Sequence, residues 1–160
     1  MYTRPDVKQD YKDRVIQSIT DMSLTLQREI ARKILEVYYD DYARDFICSM
    51  PSGMKLKRTA DHITTSNNEE FIGDVMDRIS RNPEELFMYD ELFSCLELHI
   101  FAPRDENIIA YVITFESLLE EEHGISVSVF DSHVLEVGYH VDYENPWVTN
   151  RNFVISENSI

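Results

Sequence analysis

Glycine, cysteine and tryptophan are scarce in this chain of 160 residues, and lysine disappears after Lys57. Four glycines leave little material for a phosphate-cradling loop. No P-loop, Gly-x-Gly-x-x-Gly fingerprint or Gly-x-Ser-x-Gly elbow occurs. Two cysteines, Cys48 and Cys95, are too few for a disulfide framework and lack activating neighbours in sequence. They read as buried thiols in a reducing compartment. No apolar run approaches the roughly 18 residues that would mark a membrane span. Met1 to Gln9 is polar and charged, unlike a secretory leader. These absences lead us to expect a cytoplasmic protein with no membrane partner.

The missing lysines shape the charge. Residues 1–68 carry 11 Lys and Arg against 10 Asp and Glu, whereas residues 69–160 carry 4 against 20. The formal charges of the two parts are therefore +1 and −16. Solubility is ordinarily met with both signs interspersed on the surface, and halophilic adaptation would spread along the whole chain. A one-sided field bears on partners rather than on fold. It disfavours direct binding of DNA or RNA, whose phosphates demand cations, and favours a basic protein.

Against these absences stand nine tyrosines, eight phenylalanines and a hydrophobic content of 43%, enough for a single domain with its own core. The spacing divides it into a helical region (1–50), a basic and polar loop (51–68) and an acidic α+β region (69–160). Val7, Tyr11, Val15 and Ile19 recur every four residues. Leu26, Ile30, Ile34, Val37, Tyr38, Tyr42 and Phe46 keep helical spacing to about Ser49. Thr20 to Ser23 either caps a second helix, giving a helical hairpin, or interrupts one long helix that bundles with a copy of itself. Asn67 or Asn68 is expected to cap a helix with Glu69 and Glu70 in its first turn and Phe71 on its buried face. Asn82-Pro83-Glu84-Glu85 opens another, running to about Leu96.

Strand chemistry follows. Leu96 to Ala102 and Asn107 to Phe115 flank a turn at Pro103 to Glu106. Ser117 to Glu120 is a capping-box pattern for one short acidic helix ending at Gly124. Ile125 to Phe130 is a strand, Asp131-Ser132 a turn, and His133 to Tyr143 an alternating strand. In that last strand Leu135, Val137, Tyr139, Val141 and Tyr143 share one face, with Glu136, Gly138, His140, Asp142 and Glu144 on the other. Asn152 to Ser156 reads as a final strand. The fold class is α+β: N-terminal amphipathic helices, then a small antiparallel sheet with one short helix.

The acidic strand face is the sharpest local feature. Alternate residues on a strand lie roughly 6.6 Å apart, a period suited to imitating a row of phosphates. Glu120, Glu121 and Glu122 extend the row formed by Glu136, Asp142 and Glu144, with His140 among them. Trp147, the only tryptophan, either anchors its loop to the core or serves as a hot spot for the partner. These eight residues are the expected partner-binding set, and the expected function is a non-enzymatic acidic inhibitor or decoy. In size and charge it resembles immunity and phage counter-defence proteins, and it would block a basic, nucleic-acid-handling target.

Two other classes fit the same sequence. The amphipathic helices suit a homodimer, or an assembly subunit of a viral particle. Lys55, Lys57 and Arg58 would then meet the acidic face of a second copy. A small hydrolase or metal enzyme would use His62, His99 or His140 with nearby acids. His62-Ile63-Thr64 has the shape of half of a two-histidine phosphoesterase motif, but the second half is missing. No histidine spacing enforces a metal site, so neither metal nor cofactor is expected.

Overall fold

The computed structural model describes residues 2–3, 6–38, 54–57, 69–89, 92–120, 122–139, 141 and 144–150. The fold is mixed α+β, with helices first and antiparallel strands after them. In chain order the elements are β1 (Tyr2–Thr3), α1 (Gln9–Thr20), α2 (Leu24–Tyr38), β2 (Lys55–Lys57), β3 (Glu69–Phe71) and α3 (Ile72–Ile79). A 3-10 helix (Pro83–Met88) follows, then β4 (Ser94–Ile100), β5 (Ala110–Glu116), β6 (Ile125–Phe130), β7 (His133–Gly138) and α4 (Pro146–Thr149). No helix of the described residues is long and apolar enough to cross a membrane.

The N-terminal region is two helices. Asp21 ends α1, and the Ser23 hydroxyl accepts the Leu26 N–H at 3.1 Å, the bond of a serine cap to the third helical residue. Val7, Tyr11 and Val15 on one segment, and Leu26, Ile30, Ala31 and Ile34 on the next, enter one shared core. The expected continuation through Tyr42 and Phe46 to Ser49 lies outside the described residues, as do Cys48, the strand at 152–156 and, but for residues 54–57, the loop at 51–68.

Five strands form the main sheet in the order β1-β4-β5-β6-β7, with β1 parallel to β4 and the rest antiparallel. Its centre is covered on both faces: every residue of β6, and all of β5 except Glu116, is buried. Ile113, Phe115, Val127 and Val129 share the face that meets the helices. Phe115 packs there against Phe87 and Phe93, with ring centroids 5.9 and 5.2 Å away. The opposite face holds Val112, Thr114, Ser126, Ser128 and Phe130, and α4 lies on it through Trp147, 5.0 Å from the Phe130 ring. Thr114 and Ser126 hydroxyls satisfy each other at 2.8 Å.

Turn chemistry fixes the hairpins. Asp131 and Ser132 have φ of 51° and 63°, the left-handed pair that a two-residue hairpin turn requires. Gly124 has φ of 70°, and a Cβ there would stand 2.7 Å from the Phe115 carbonyl oxygen. Only glycine closes the β5–β6 loop this way.

Several expectations need correction. Lys55–Lys57 is a strand, paired antiparallel with Glu69–Phe71 so that Lys57 stands opposite Glu69 and Leu56 opposite Glu70. Glu69 and Glu70 are therefore not in a helical first turn. Phe71 is 50% exposed, with the Lys55 ammonium 5.0 Å from its ring centroid. Part of the basic segment thus finds its partner within the chain. Asn82-Pro83 opens a 3-10 helix that stops at Met88, without a side-chain cap bond. The Ser117–Glu120 pattern makes turns in place of a helix: Ser117 Oγ accepts the Leu119 N–H and its carbonyl the Glu120 N–H. The short helix is α4 instead. Cys95 is an exposed free thiol.

The expected strand His133–Tyr143 ends at Gly138. A register shift opposite Ser128/Val129 sets Glu136 against Ser128 but Val134 against Val129. Leu135 is thus the extra residue of a bulge, which reverses the alternation. Leu135 is 38% exposed and Tyr139 53%, and His133 is exposed too. None of the three turns into the core.

Candidate partner-binding face

The last three strands and their loops carry charge of one sign. Between Arg104 and Arg151 the chain holds neither lysine nor arginine, while ten carboxylates occur there. Antiparallel pairing gathers several of them at one end of the sheet. Phe115 pairs with Ile125 and Ser126 with Gly138, so the β5–β6 loop and the exit of β7 share that end. Glu116 and Glu122 are exposed there, and Glu120 is half-buried.

Around Glu120 an acidic and aromatic cluster forms. Its Oε1 lies 3.3 Å from His123 Nδ1. The His123 ring packs against Tyr139 with centroids 4.8 Å apart. Tyr38, from α2, sits close enough that burial first, then the Glu120 charge and then Tyr139, push its pKa up to about 12. A carboxylate near a half-buried phenol disfavours the phenolate, so Tyr38 stays a neutral hydrogen-bonding group. This end combines fixed negative charge with aromatic surface, the composition that receives lysine and arginine side chains through ion pairs and cation–π contacts.

The eight expected residues do not form one row. Glu120 and Glu122 belong to the cluster. Glu136 pairs with Ser128, on the sheet face away from α2, and is half-buried, as is Glu144. Glu121, His140 and Asp142 lie outside the described residues. Trp147 is fully buried: it anchors its segment to the core and is no contact hot spot. Asn145 caps α4 by accepting the Trp147 N–H at 3.0 Å. Sequence reading missed Glu116, His123 and Tyr139 as members of this site. Tyr139 was read as part of the apolar face of a longer strand, whereas it stands just beyond the end of β7 and is exposed. The adjacency of Tyr38 to Glu120 joins residues far apart in the chain and left no local signal.

His99 is the histidine buried in the sheet, with its Nε2 3.1 Å from Glu97 Oε2. No group of three His, Cys, Asp or Glu suited to a metal ion occurs among the described residues. His62 lies outside them. No protein family, no curated protein and no solved structure matches this chain.

Proposed function

We propose that this chain is a non-enzymatic, cytoplasmic binding protein that occupies the basic, nucleic-acid-handling surface of another protein. The observation carrying this reading is the cation-free stretch 105–150, folded so that Glu116, Glu120 and Glu122 stand at one sheet end beside Tyr38, His123 and Tyr139. Concentrated charge of one sign steers association and makes it sensitive to salt. Exposed aromatic groups supply the contact area that charge alone lacks.

The test is capture from the native host lysate at low and at high salt, followed by competition with duplex DNA. A basic protein held at low salt, released by high salt and displaced by DNA supports the reading. It must also be lost on a Glu116→Lys, Glu120→Lys, Glu122→Lys variant. Capture unchanged by that variant, or by Glu136→Lys with Asp142→Lys and Glu144→Lys, removes the acidic surface from the explanation. Retention of copies of this chain alone, resistant to salt, supports the assembly subunit, because obligate interfaces are apolar.

An enzymatic reading keeps one supporting contact, the buried His99 ring against Glu97. A carboxylate that orients imidazole is a common device for a general base. A turnover lost on His99→Gln, with folding retained, would move the function to that class.

A further inference from the structure

Elsewhere in the fold acidic side chains are matched by cations: Glu84 by Arg28, Asp77 by Arg81 and Glu106 by Lys8. The acidic end differs. Among the described residues, the Glu116 and Glu122 side chains make no ion pair or hydrogen bond. Glu120 engages one oxygen only. Its Oε1 lies 3.3 Å from His123 Nδ1, and its Oε2 has no partner among the described residues. No lysine or arginine occurs from 105 to 150.

Aromatic surface lies directly beside that open oxygen. The His123 ring packs on Tyr139, with centroids 4.8 Å apart and planes at 33°. Tyr139 nevertheless keeps 53% of its surface exposed. One imidazole therefore touches the Glu120 carboxylate through Nδ1 and the phenol through its ring, which brings the two within the breadth of a single side chain. The chain already uses a ring of similar exposure in this way: the Lys55 ammonium stands 5.0 Å from the Phe71 centroid.

Charge alone would receive lysine and arginine equally, but a ring next to a carboxylate does not. A guanidinium is planar and weakly hydrated, so it stacks on an aromatic face while its N–H groups donate to an oxygen at its edge. An ammonium is a compact point charge that must shed tightly held water to lie on a ring. The geometry points to an arginine as the anchoring group of the partner, its guanidinium on the Tyr139 ring and donating to Glu120 Oε2. Glu116 and Glu122 supply the field that draws the partner in. The arginine anchor rests on the reading of the acidic end as a surface for a basic protein, and it names the residue that this surface selects.

The probes are capped hexa-arginine and hexalysine peptides, equal in length and charge. They are titrated into the full chain at low salt and followed through the NMR signals of His123 and Tyr139. Hexa-arginine should bind about fivefold more tightly, the scale of one exposed cation–π contact. Tyr139→Leu keeps an apolar side chain just beyond β7 and should remove the preference, with thermal unfolding as the check on folding. Glu120→Gln should weaken both peptides and narrow the preference, and it serves if the leucine variant fails to fold. Equal affinities in the wild type, or a preference that survives both variants, overturn the arginine anchor. If that equal binding is still lost on Glu116→Lys, Glu120→Lys, Glu122→Lys, the acidic surface stands without it. No saturable shift with either peptide overturns both.

Discussion

The Tyr11 hydroxyl of α1 accepts the N–H of Ala110 at 3.1 Å and donates to the carbonyl of Ile108 at 2.9 Å. One side chain thus satisfies both backbone groups where β5 begins, and it ties the first helix to a strand about a hundred residues away. Tyr11→Phe keeps the ring in the core and strands a buried N–H. The expected loss is about 1–3 kcal/mol, read as a lower urea midpoint at unchanged slope.

A second consequence of these tyrosines is alkaline sensitivity. Burial raises the pKa of Tyr11 and Tyr111, and that of Tyr38 to about 12. A phenol with a raised pKa holds its proton in the folded state when the unfolded chain has lost it. Its contribution to stability is therefore whole below the unfolded value of about 10 and is lost as pH rises through the folded one. For Tyr38 the window is pH 10 to 12. Urea unfolding across that range should show falling stability, and Tyr38→Phe should make the decline shallower. An equally steep decline in the variant would assign it to other groups.

The Glu29 carboxylate on α2 accepts the Val134 N–H at 3.2 Å, with the His133 imidazole 3.9 Å from its other oxygen. Since β7 is the sheet's edge, this bond occupies backbone that would otherwise template another strand, and the bulge at Leu135 interrupts the remainder. Glu29→Ala should cost about 1 kcal/mol and speed amide exchange at Val134. It should also bring concentration-dependent association through the exposed Leu135. Unchanged exchange at Val134 would mean that the carboxylate protects nothing.

Arg78 is the hub of the smaller sheet. Its guanidinium donates to Glu85 Oε2 at 2.6 Å and to both Glu70 oxygens at 2.7 and 3.1 Å. The Tyr89 hydroxyl joins Arg78 and Glu70. The cluster connects β3, α3 and the 3-10 helix. It is about one-third exposed, so solvent screening weakens it. Arg78→Met, which keeps the apolar stem, should still cost about 2 kcal/mol, within the range for hydrogen bonds to charged groups. A smaller loss on Arg78→Lys would show that charge matters more than the planar fork.

Local patterns were legible where local chemistry decides. The bounds of β6 and the turn at Asp131-Ser132 follow from alternation and from residues that tolerate left-handed backbone, whereas Thr20 to Ser23 marked the place of the α1–α2 break without deciding between two helices and one interrupted helix. The errors fall where distant pairing overrides the local signal. Glu69-Glu70-Phe71 has the residues of a helix start, yet Lys55–Lys57 recruits it as a strand. Ser117–Glu120 has a capping pattern, yet Gly124 returns the chain to β6 before a helix can extend. His133–Tyr143 alternates in residue type throughout, but the bulge at Leu135 changes which side chains share a face. The acidic bias of the candidate site was legible as composition. Its gathering beside Tyr38 was not, because that needs α2 to lie against the end of the sheet.

The acidic end carries a last prediction, which sets function against stability. Like charges crowded on one surface repel, and that repulsion opposes the compact state. Glu116 and Glu122 are exposed and have no cation within their stretch of sequence. Replacing both with Gln should therefore raise stability by a few tenths of a kcal/mol, the scale of exposed charge pairs. The gain should shrink in high salt, where the Debye length falls to about 3 Å at 1 M. Urea unfolding at low and high salt measures both effects. If the same substitutions also weaken capture of the basic partner, the chain carries this repulsion because binding requires the charge. If stability rises and capture is untouched, the acids at this end serve solubility, and the binding surface must be sought among the carboxylates of β7 and the segment after it.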